Sequence, residues 1–154
     1  MKVYQYKDYN DYVDIQTKIN KEKLGWVYVY KETIQKICNV RPKAKRILCH
    51  GTRNGAEQKM FMDILGCYAI GSEISDNAYQ FEHTIQWDFT EPREEWINSF
   101  DIVYSNSFDH TIDPYKTLQT WKEQLKDDGM LCIEYSENQS VGSEADPLDA
   151  TNKE

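Results

Sequence analysis

The amino-acid sequence predicts an α/β fold, with a parallel sheet of about five strands and helices on both faces. First, short apolar runs of strand length alternate with segments of helical periodicity through residues 44–135. Second, a glycine-containing turn at residues 50–55 directly follows the first apolar run. Third, the second run leads into an acidic residue, Glu73. Alternating strands and helices require right-handed crossovers, which make the strands parallel and cover both faces of one sheet.

Residues 1–43 are predicted to form an N-terminal helical segment before the sheet begins. Apolar side chains recur at helical spacing through residues 8–20, and again through residues 26–39, with Pro42 just beyond the end. The second of these segments begins with the residues Val-Tyr-Val-Tyr at 27–30, which are rich in β-branched and aromatic side chains. A strand is therefore the alternative for that start.

The central unit combines a strand, a glycine turn, a helix and a second strand. The first strand is predicted at residues 47–49, the helix at 56–65 and the second strand at 67–70. The start of such a helix offers unpaired backbone amides to a polar ligand group. Glu73 follows Gly51 by 22 residues, close to the roughly 20 at which an acidic residue binds ribose hydroxyls in dinucleotide-binding units. This unit is therefore predicted to bind an adenosine-containing ligand.

The alternation continues to residue 135. The helix at residues 113–125 has the clearest boundaries, because Asp113 suits the cap and Pro114 suits the first helical position. The other predicted elements are one helical turn at 76–81, strands at 83–87, 100–104 and 130–135, a short helix at 92–99 and a turn at 127–129. Residues 1–135 are thus predicted to be one domain with a core at 44–135, and residues 136–154, with five acidic side chains and no periodicity, an acidic flexible tail.

Composition and charge exclude several classes of protein. No apolar run approaches the roughly 18 residues of a membrane span, and the polar N-terminus is not a secretory signal, so we expect a cytoplasmic protein. The four cysteines form no Cys-x-x-Cys pair and are expected to be reduced and buried. Residues 1–46 hold 11 basic and 5 acidic side chains, whereas residues 47–154 hold 7 and 21. The acidic body argues against a nucleic-acid substrate, because phosphates would be repelled.

The order of these motifs resembles the class I, Rossmann-like S-adenosylmethionine-dependent methyltransferases. Residues 47–55 lie where that family has its first glycine motif, and residues 71–75, 86–89 and 100–106 resemble its second, third and fourth motifs. Residues 125–131 resemble the helix, turn and strand that follow. The resemblance implies S-adenosylmethionine as the cofactor, Glu73 as the ribose ligand and Asp88 with the next backbone amide as the adenine reader. The cofactor-binding residues that it implies are Gly51, Thr52, Arg53, Gly55, Glu73, Ile74, Asp88, Phe89, Ser105 and Asn106.

Three departures from the family pattern bear on the site. Cys49 stands where the family has an acidic residue, so a polar contact near the methionine part is absent. Arg53 replaces the middle glycine and is expected either to contact the cofactor carboxylate or to pair with Glu57. The family sheet continues into two further strands, so this chain is interpreted as truncated after the fifth strand. A sheet edge left open in this way needs cover, and we expect a homodimer.

Asp109 and His110 are the candidate catalytic residues. They follow the fourth predicted strand, at the carboxyl edge where open α/β sheets place their sites. His110 is expected to act as a general base, since an imidazole titrates near neutrality; the alternative is an exposed or capping loop histidine. His50 is expected to be packed rather than catalytic. The three histidines show no metal-ligand spacing, so no metal site is predicted.

These residues favour a methyltransferase that acts on a small molecule or a sugar-like acceptor. Methyl transfer from a sulfonium is an in-line displacement that mainly needs positioning of the reactants and exclusion of water. The fourth motif lacks the Pro-Pro-aromatic sequence expected of enzymes that methylate base nitrogens. One alternative is a non-catalytic module that binds S-adenosylmethionine or S-adenosylhomocysteine and works through a partner. A nicotinamide-dependent oxidoreductase is disfavoured, because the turn at 51–55 lacks the Gly-x-Gly-x-x-Gly pattern.

Overall fold

The computed structural model describes residues 1–136 and 142–149, and it confirms the α/β class with a five-stranded parallel sheet. The helices are α1 (Tyr9–Glu22), α2 (Lys31–Val40), α3 (Ala56–Leu65) and α4 (Pro114–Gln124). The strands are β1 (Lys2–Val3), β2 (Arg46–His50), β3 (Tyr68–Glu73), β4 (Thr84–Gln86), β5 (Phe100–Ser105), β6 (Leu125–Ile133) and β7 (Leu148–Asp149). Short 3₁₀ turns occupy Asp76–Gln80, Glu94–Trp96 and Phe108–His110.

The strand order places the site. The sheet runs β4-β3-β2-β5-β6 with all neighbours parallel, so every carboxyl end lies at the same edge. The chain winds from β2 towards β3 and β4 on one side, and then returns to the other side of β2 as β5. The direction of winding therefore reverses between β2 and β5. Open α/β sheets bind their ligands in the crevice at such a reversal.

Both faces of the sheet are buried, as a parallel sheet requires. Ile47 and Cys49 point into a cluster with Phe61 of α3 and Ile34 of α2, whereas Leu48 points into a second cluster on the other face. That second cluster includes Trp121 of α4, Val103 and Phe100. The alternation of side chains along one strand thus explains why Ile47, Leu48 and Cys49 are all fully buried.

Some predicted helices are shorter in the structure. The helix predicted at 26–39 begins at Lys31, and residues 26–30 form neither helix nor strand. The helix predicted at 92–99 is reduced to the 3₁₀ turn Glu94–Trp96. Asn98 has a positive φ of 49°, which is incompatible with continuing a right-handed helix. The helix predicted at 113–125 forms as expected, with the Asp113 side chain accepting a hydrogen bond from the Lys116 amide at 3.0 Å.

Residues 142–149 differ from the expected flexible tail. Strand β7 pairs with β1 in antiparallel register, so that Val3 lies opposite Leu148. The Tyr4 amide donates to the Pro147 carbonyl at 2.8 Å, and Leu148 is only 1% exposed. Because the partner strand lies at the other end of the sequence, no local sequence pattern predicts this pairing. Residues 137–141 and 150–154 of the predicted tail lie outside the described residues.

Within residues 1–136 and 142–149, no helix combines the length and the apolar character needed to cross a membrane. The four cysteines are free thiols; Cys38 and Cys49 are buried, while Cys67 and Cys132 are half-buried. Burial raises the pKa of the Cys49 thiol well above its usual range.

Candidate functional site

The glycine turn after β2 forms one wall of the site. The amides of Gly51 and Thr52 both donate to the Ser72 carbonyl, at 2.9 and 3.1 Å, which ties the turn to β3. Gly51 has a φ of +71°, and a Cβ added there would lie 2.6 Å from the Ser107 Cβ. A side chain is therefore excluded on both conformational and steric grounds. Gly55 is the N-cap of α3, with a φ of +80°.

Glu73 braces the turn and also faces the crevice. Its Oε2 accepts a hydrogen bond from the Arg53 amide at 2.8 Å, and its Oε1 accepts one from the Ser75 amide at 3.1 Å. The side chain is buried yet lines a cavity together with Gly51 and Asp88. Each carboxylate oxygen has further lone pairs for a ligand hydroxyl. The position of Glu73 therefore suits the ribose role that the sequence predicts.

Helix α1 roofs that cavity. The volume of the cavity is ≈ 50 Å³. It is lined on this side by four α1 residues: Tyr12, Gln16, Ile19 and Asn20. Pockets for small ligands typically enclose roughly 300–1,000 Å³. A nucleoside therefore fits only if the α1 roof lifts or the neighbouring side chains rearrange.

Asp88 is held at the same cavity by the turn after β4. Its Oδ1 accepts from the Thr90 amide at 2.8 Å, and its Oδ2 accepts from the Tyr9 hydroxyl of α1 at 2.8 Å. Both oxygens therefore have a partner in this conformation. Phe89 is buried next to Asp88, and its carbonyl accepts from the Trp121 indole at 3.0 Å. Residue 88 thus has the turn-stabilising contact and also the position expected of an adenine reader.

A second cavity of ≈ 440 Å³ adjoins the first. The two cavities share Ile19, Arg53, Ser107 and His110. The second cavity is bordered by aromatic rings and carboxylates, namely Tyr28, Tyr30, Tyr135, Asp109, Glu134 and Asp146. Sequence reasoning did not identify Ser107, which lines both cavities and donates to the Gly51 carbonyl at 3.1 Å.

The structure places the ten predicted cofactor residues in different surroundings. Six of them line the first cavity: Gly51, Arg53, Glu73, Ile74, Asp88 and Phe89. Asn106 lines the second cavity, and Thr52 borders a smaller recess behind the glycine turn. Ser105 is fully buried, and its hydroxyl donates to the His50 carbonyl at 3.0 Å. Ser105 and Gly55, the N-cap of α3, line neither of the two cavities.

The Arg53 side chain does not form the ion pair with Glu57 that was one of its two predicted roles. Its guanidinium lies 5.2 Å from the centre of the Tyr28 ring, and its Nη1 donates to the Trp26 carbonyl at 3.3 Å. Asn54 reinforces this contact by donating to the Leu24 carbonyl at 2.9 Å. The turn at residues 23–25 and the irregular residues 26–30 are thereby fixed to the glycine turn. The sequence analysis did not predict this contact, since residues 26–39 were predicted to be a helix, with a strand as the alternative at 27–30.

The His110 imidazole has a defined orientation. Its Nδ1 lies 2.9 Å from the Gln16 Oε1, while the Gln16 amide nitrogen donates to the Ala145 carbonyl at 3.1 Å. Because that donation fixes the amide orientation, Nδ1 must carry the proton that Gln16 accepts. In the neutral ring, Nε2 then carries a lone pair and no proton. It lies 3.9 Å from the Asp109 Oδ1 and 3.6 Å from the Asp146 Oδ1.

Asp109, His110 and Asp146 are the one group of ligand-type side chains within 4.8 Å of one another in the part of the chain that is described. Burial raises the pKa of Asp109, and the nearby His110 opposes that shift. Carboxylates and an imidazole suit a proton relay, and they are also donors that a divalent cation accepts. The expectation that the protein has no metal site stays a prediction.

His50 has a structural role, as expected. It is 1% exposed, and it stacks on Trp121. Its Nδ1 lies 2.7 Å from the Ser72 hydroxyl, and its Nε2 lies 2.8 Å from the side-chain Oε1 of Gln124. Burial lowers its pKa to about 4. The ring is therefore neutral at physiological pH and is not accessible to a substrate.

Comparison with solved structures identifies the fold as that of the class I methyltransferases. No protein-family model matches the chain, and no curated protein gives a significant match. The sugar N-methyltransferase KedS8 from Streptoalloteichus superimposes with a TM-score of 0.59 at 17% identity, over 75% of this chain and 51% of its own.

Two further structures show the same likeness. The 1,6-didemethyltoxoflavin-N1-methyltransferase of Burkholderia thailandensis, solved with S-adenosylhomocysteine, has a TM-score of 0.65 at 13% identity over 84% of this chain and 64% of its own. Streptomyces venezuelae DesVI has a TM-score of 0.58 at 18% identity over 90% and 63%. This chain therefore spans between half and two thirds of the length of these structures. At such identities the comparison shows the fold, and the activity has to be argued from the site.

Proposed function

We propose that this protein is an S-adenosylmethionine-dependent methyltransferase that acts on a small molecule or a sugar-like acceptor. One observation carries the proposal: Gly51 after β2, Glu73 at the end of β3 and Asp88 after β4 converge on one cavity at the reversal of the sheet. The glycine turn leaves room for the amino-acid part of the cofactor. The carboxylate at the end of β3 suits the ribose, and the carboxylate after β4 suits the adenine. The fold likeness to methyltransferases, one of which holds S-adenosylhomocysteine, supports the same cofactor.

The cofactor would lie along the carboxyl edge of β2, β3 and β4. Glu73 would accept the ribose hydroxyls while keeping its two backbone hydrogen bonds. Asp88 and the Phe89 amide would read the adenine, which requires Asp88 to share or release the Tyr9 hydroxyl. The backbone of residues 51–55 would pass close to the amino-acid part, and Ile74 would pack against the base.

The acceptor would occupy the adjoining cavity. Its volume of ≈ 440 Å³ is within the roughly 300–1,000 Å³ of small-molecule sites. Bound S-adenosylmethionine would supply an activated methyl group, which the acceptor nucleophile would take as the carbon–sulfur bond breaks and S-adenosylhomocysteine leaves. His110, oriented by Gln16, would take the acceptor proton on Nε2, and Asp109 would stabilise the resulting imidazolium. The likeness to a sugar N-methyltransferase adds support to a sugar-like acceptor.

The second candidate function is a non-catalytic module that binds the cofactor and works through a partner. Strand β6 favours it, because this strand pairs only with β5 in the part of the chain that is described. Its residues are at most half-buried, and an open edge of this kind offers a surface to another chain. A homodimer through this edge and a cytoplasmic location are likewise proposals. Light scattering over a concentration series tests the dimer, and a monomer at every concentration would refute it.

The experiment that tests the proposed function is calorimetric titration with S-adenosylhomocysteine, followed by turnover assays on a panel of small amines, hydroxy compounds and sugars. We expect micromolar binding to the wild type and loss of binding in Glu73→Ala. The exposed Glu82 provides the matched control, and Glu82→Ala should bind like the wild type. A folded wild-type protein that binds no cofactor product would refute the proposal. Binding without turnover on any acceptor would favour the non-catalytic module.

A further inference from the structure

Glu57 is a buried carboxylate with an unsatisfied oxygen. It is the second residue of α3, immediately behind the glycine turn, and it is 7% exposed. Its Oε1 accepts a long hydrogen bond of 3.4 Å from the Asn106 amide nitrogen. Its Oε2 is fully buried and has no hydrogen-bond partner among residues 1–136 and 142–149. Native proteins rarely leave a buried carboxylate oxygen in this state, because its desolvation is not compensated.

The environment of Glu57 has a place for a small cationic group. The carboxylate borders a recess of ≈ 20 Å³, which is enclosed by residues 51–54, by Asn106 and Ser107 after β5, and by residues 26–28. One probe sphere of water size occupies roughly 10–15 Å³, so the recess holds a group of about that size. The recess lies between the glycine turn and the end of β5, at the same crevice as the cavity that contains Glu73.

Arg53 compensates the Glu57 carboxylate only from a distance: its charge lowers the pKa of Glu57, but no ion pair joins the two side chains among the described residues. Arg53 is the basic residue that borders this recess, and its guanidinium is held by the Tyr28 ring and the Trp26 carbonyl. The other groups that act electrostatically on Glu57 or respond to it are Glu73, Tyr104 and Cys49, and none of them is cationic. A water molecule in the recess would donate a hydrogen bond but would bring no positive charge into contact with the carboxylate. An ammonium group supplies both the charge and up to three donors.

We propose that Glu57 binds the ammonium group of the amino-acid part of the cofactor, an inference that rests on the proposed function. Glu57 brings a carboxylate from helix α3 to the recess beside the glycine turn. Asn106, which also borders the recess, accepts a second ammonium hydrogen through one of its oxygen atoms. The site thus selects an adenosine thioether that carries an amino-acid chain over one that lacks it.

The test compares S-adenosylhomocysteine with 5′-methylthioadenosine, which has the same adenosine and thioether but no amino-acid chain. Both ligands are titrated calorimetrically into the wild type, Glu57→Gln and the exposed control Glu82→Gln. Glu57→Gln should weaken S-adenosylhomocysteine about 10- to 100-fold, the range of a lost charge-assisted hydrogen bond, and should change methylthioadenosine less than about twofold. The control should leave both affinities unchanged.

Several outcomes would overturn the inference. It is wrong if Glu57→Gln binds S-adenosylhomocysteine as the wild type does, or if the variant loses both ligands equally, because Glu57 would then act through the shape of the turn. Wild-type protein that binds neither ligand refutes the proposed function instead. If Glu57→Gln does not fold, the wild type still gives an answer through proton release. Burial raises the pKa of Glu57 to about 7, so the carboxyl group of the free protein is partly protonated at pH 7. Binding of the S-adenosylhomocysteine ammonium should drive its ionisation and release protons to the buffer, whereas binding of methylthioadenosine should not. Binding enthalpies for S-adenosylhomocysteine that are independent of the buffer would contradict this expectation.

Discussion

Replacing Glu57 by glutamine should stabilise the free protein, and more so at alkaline pH. Burial is the main cause that raises the pKa of this carboxyl group from its ordinary value of 4.5 to about 7. At pH values between 4.5 and about 7, the folded protein therefore keeps a proton on Glu57 that the unfolded chain has released. Because the folded state then binds more protons, the free energy of unfolding falls as pH rises from about 4.5 to 7 and stays low above it.

The size of this effect follows from the shift of the pKa. Each pKa unit corresponds to about 1.4 kcal/mol, so the ionised Glu57 costs the folded protein about 3 kcal/mol at pH 8 and less than about 1 kcal/mol at pH 5. The glutamine amide has its own desolvation cost, but that cost does not change with pH. The stabilisation by Glu57→Gln should therefore be about 2 kcal/mol larger at pH 8 than at pH 5.

Urea unfolding at the two pH values measures this difference, since the midpoint and the slope together give the free energy of unfolding. The exposed Glu82→Gln variant removes the same charge and controls for the change in net charge. Equal stabilisation of the Glu57 variant at pH 5 and pH 8 would refute the reasoning, because it would mean that the carboxylate is already compensated inside the protein. A destabilised variant at pH 8 would refute it as well.

Three further predictions concern the roof, the turn and the C-terminal strand. Tyr9→Phe removes the hydrogen bond to Asp88 and frees that carboxylate, so S-adenosylhomocysteine should bind about two- to tenfold more tightly by calorimetry; weaker binding would mean that Tyr9 holds the ligand. Gly51→Ala should abolish that binding and lower the melting temperature more than Gly66→Ala, because both glycines have a positive φ but only Gly51 would crowd a neighbour, at 2.6 Å. Leu148→Ala should cost about 2–5 kcal/mol in urea unfolding, as for other buried leucines, whereas a flexible tail would make it neutral.

Much of the fold could be predicted from the sequence, because its signals are local. The alternation of strands and helices follows from side-chain periodicity within windows of about ten residues. The Asp113 cap and Pro114 at the next position marked the start of α4 correctly, since capping joins residues three apart. The glycine turn and Glu73 were found because a tight turn and a fixed spacing leave their own pattern in the sequence.

Where local signals competed, the predictions failed. The periodicity of residues 26–39 matched a helix, but residues 26–30 are not helical, and Arg53 and Asn54 both donate hydrogen bonds to the Trp26 carbonyl. These contacts cross 27 and 28 residues of sequence. Tertiary contacts of this kind override helix propensity, which amounts to less than about 1 kcal/mol per residue.

The sequence by itself determined the class of fold, the order of the elements and the residues that turn the chain at the carboxyl edge. Only the tertiary structure decided what surrounds them. It placed α1 over the crevice, oriented His110 through Gln16 at a distance of 94 residues in sequence, and paired Leu148 with Val3. It also left one oxygen of Glu57 buried without a hydrogen-bond partner in the described part of the chain. Burial and hydrogen-bond satisfaction depend on which distant segments meet, and no short stretch of sequence contains that information.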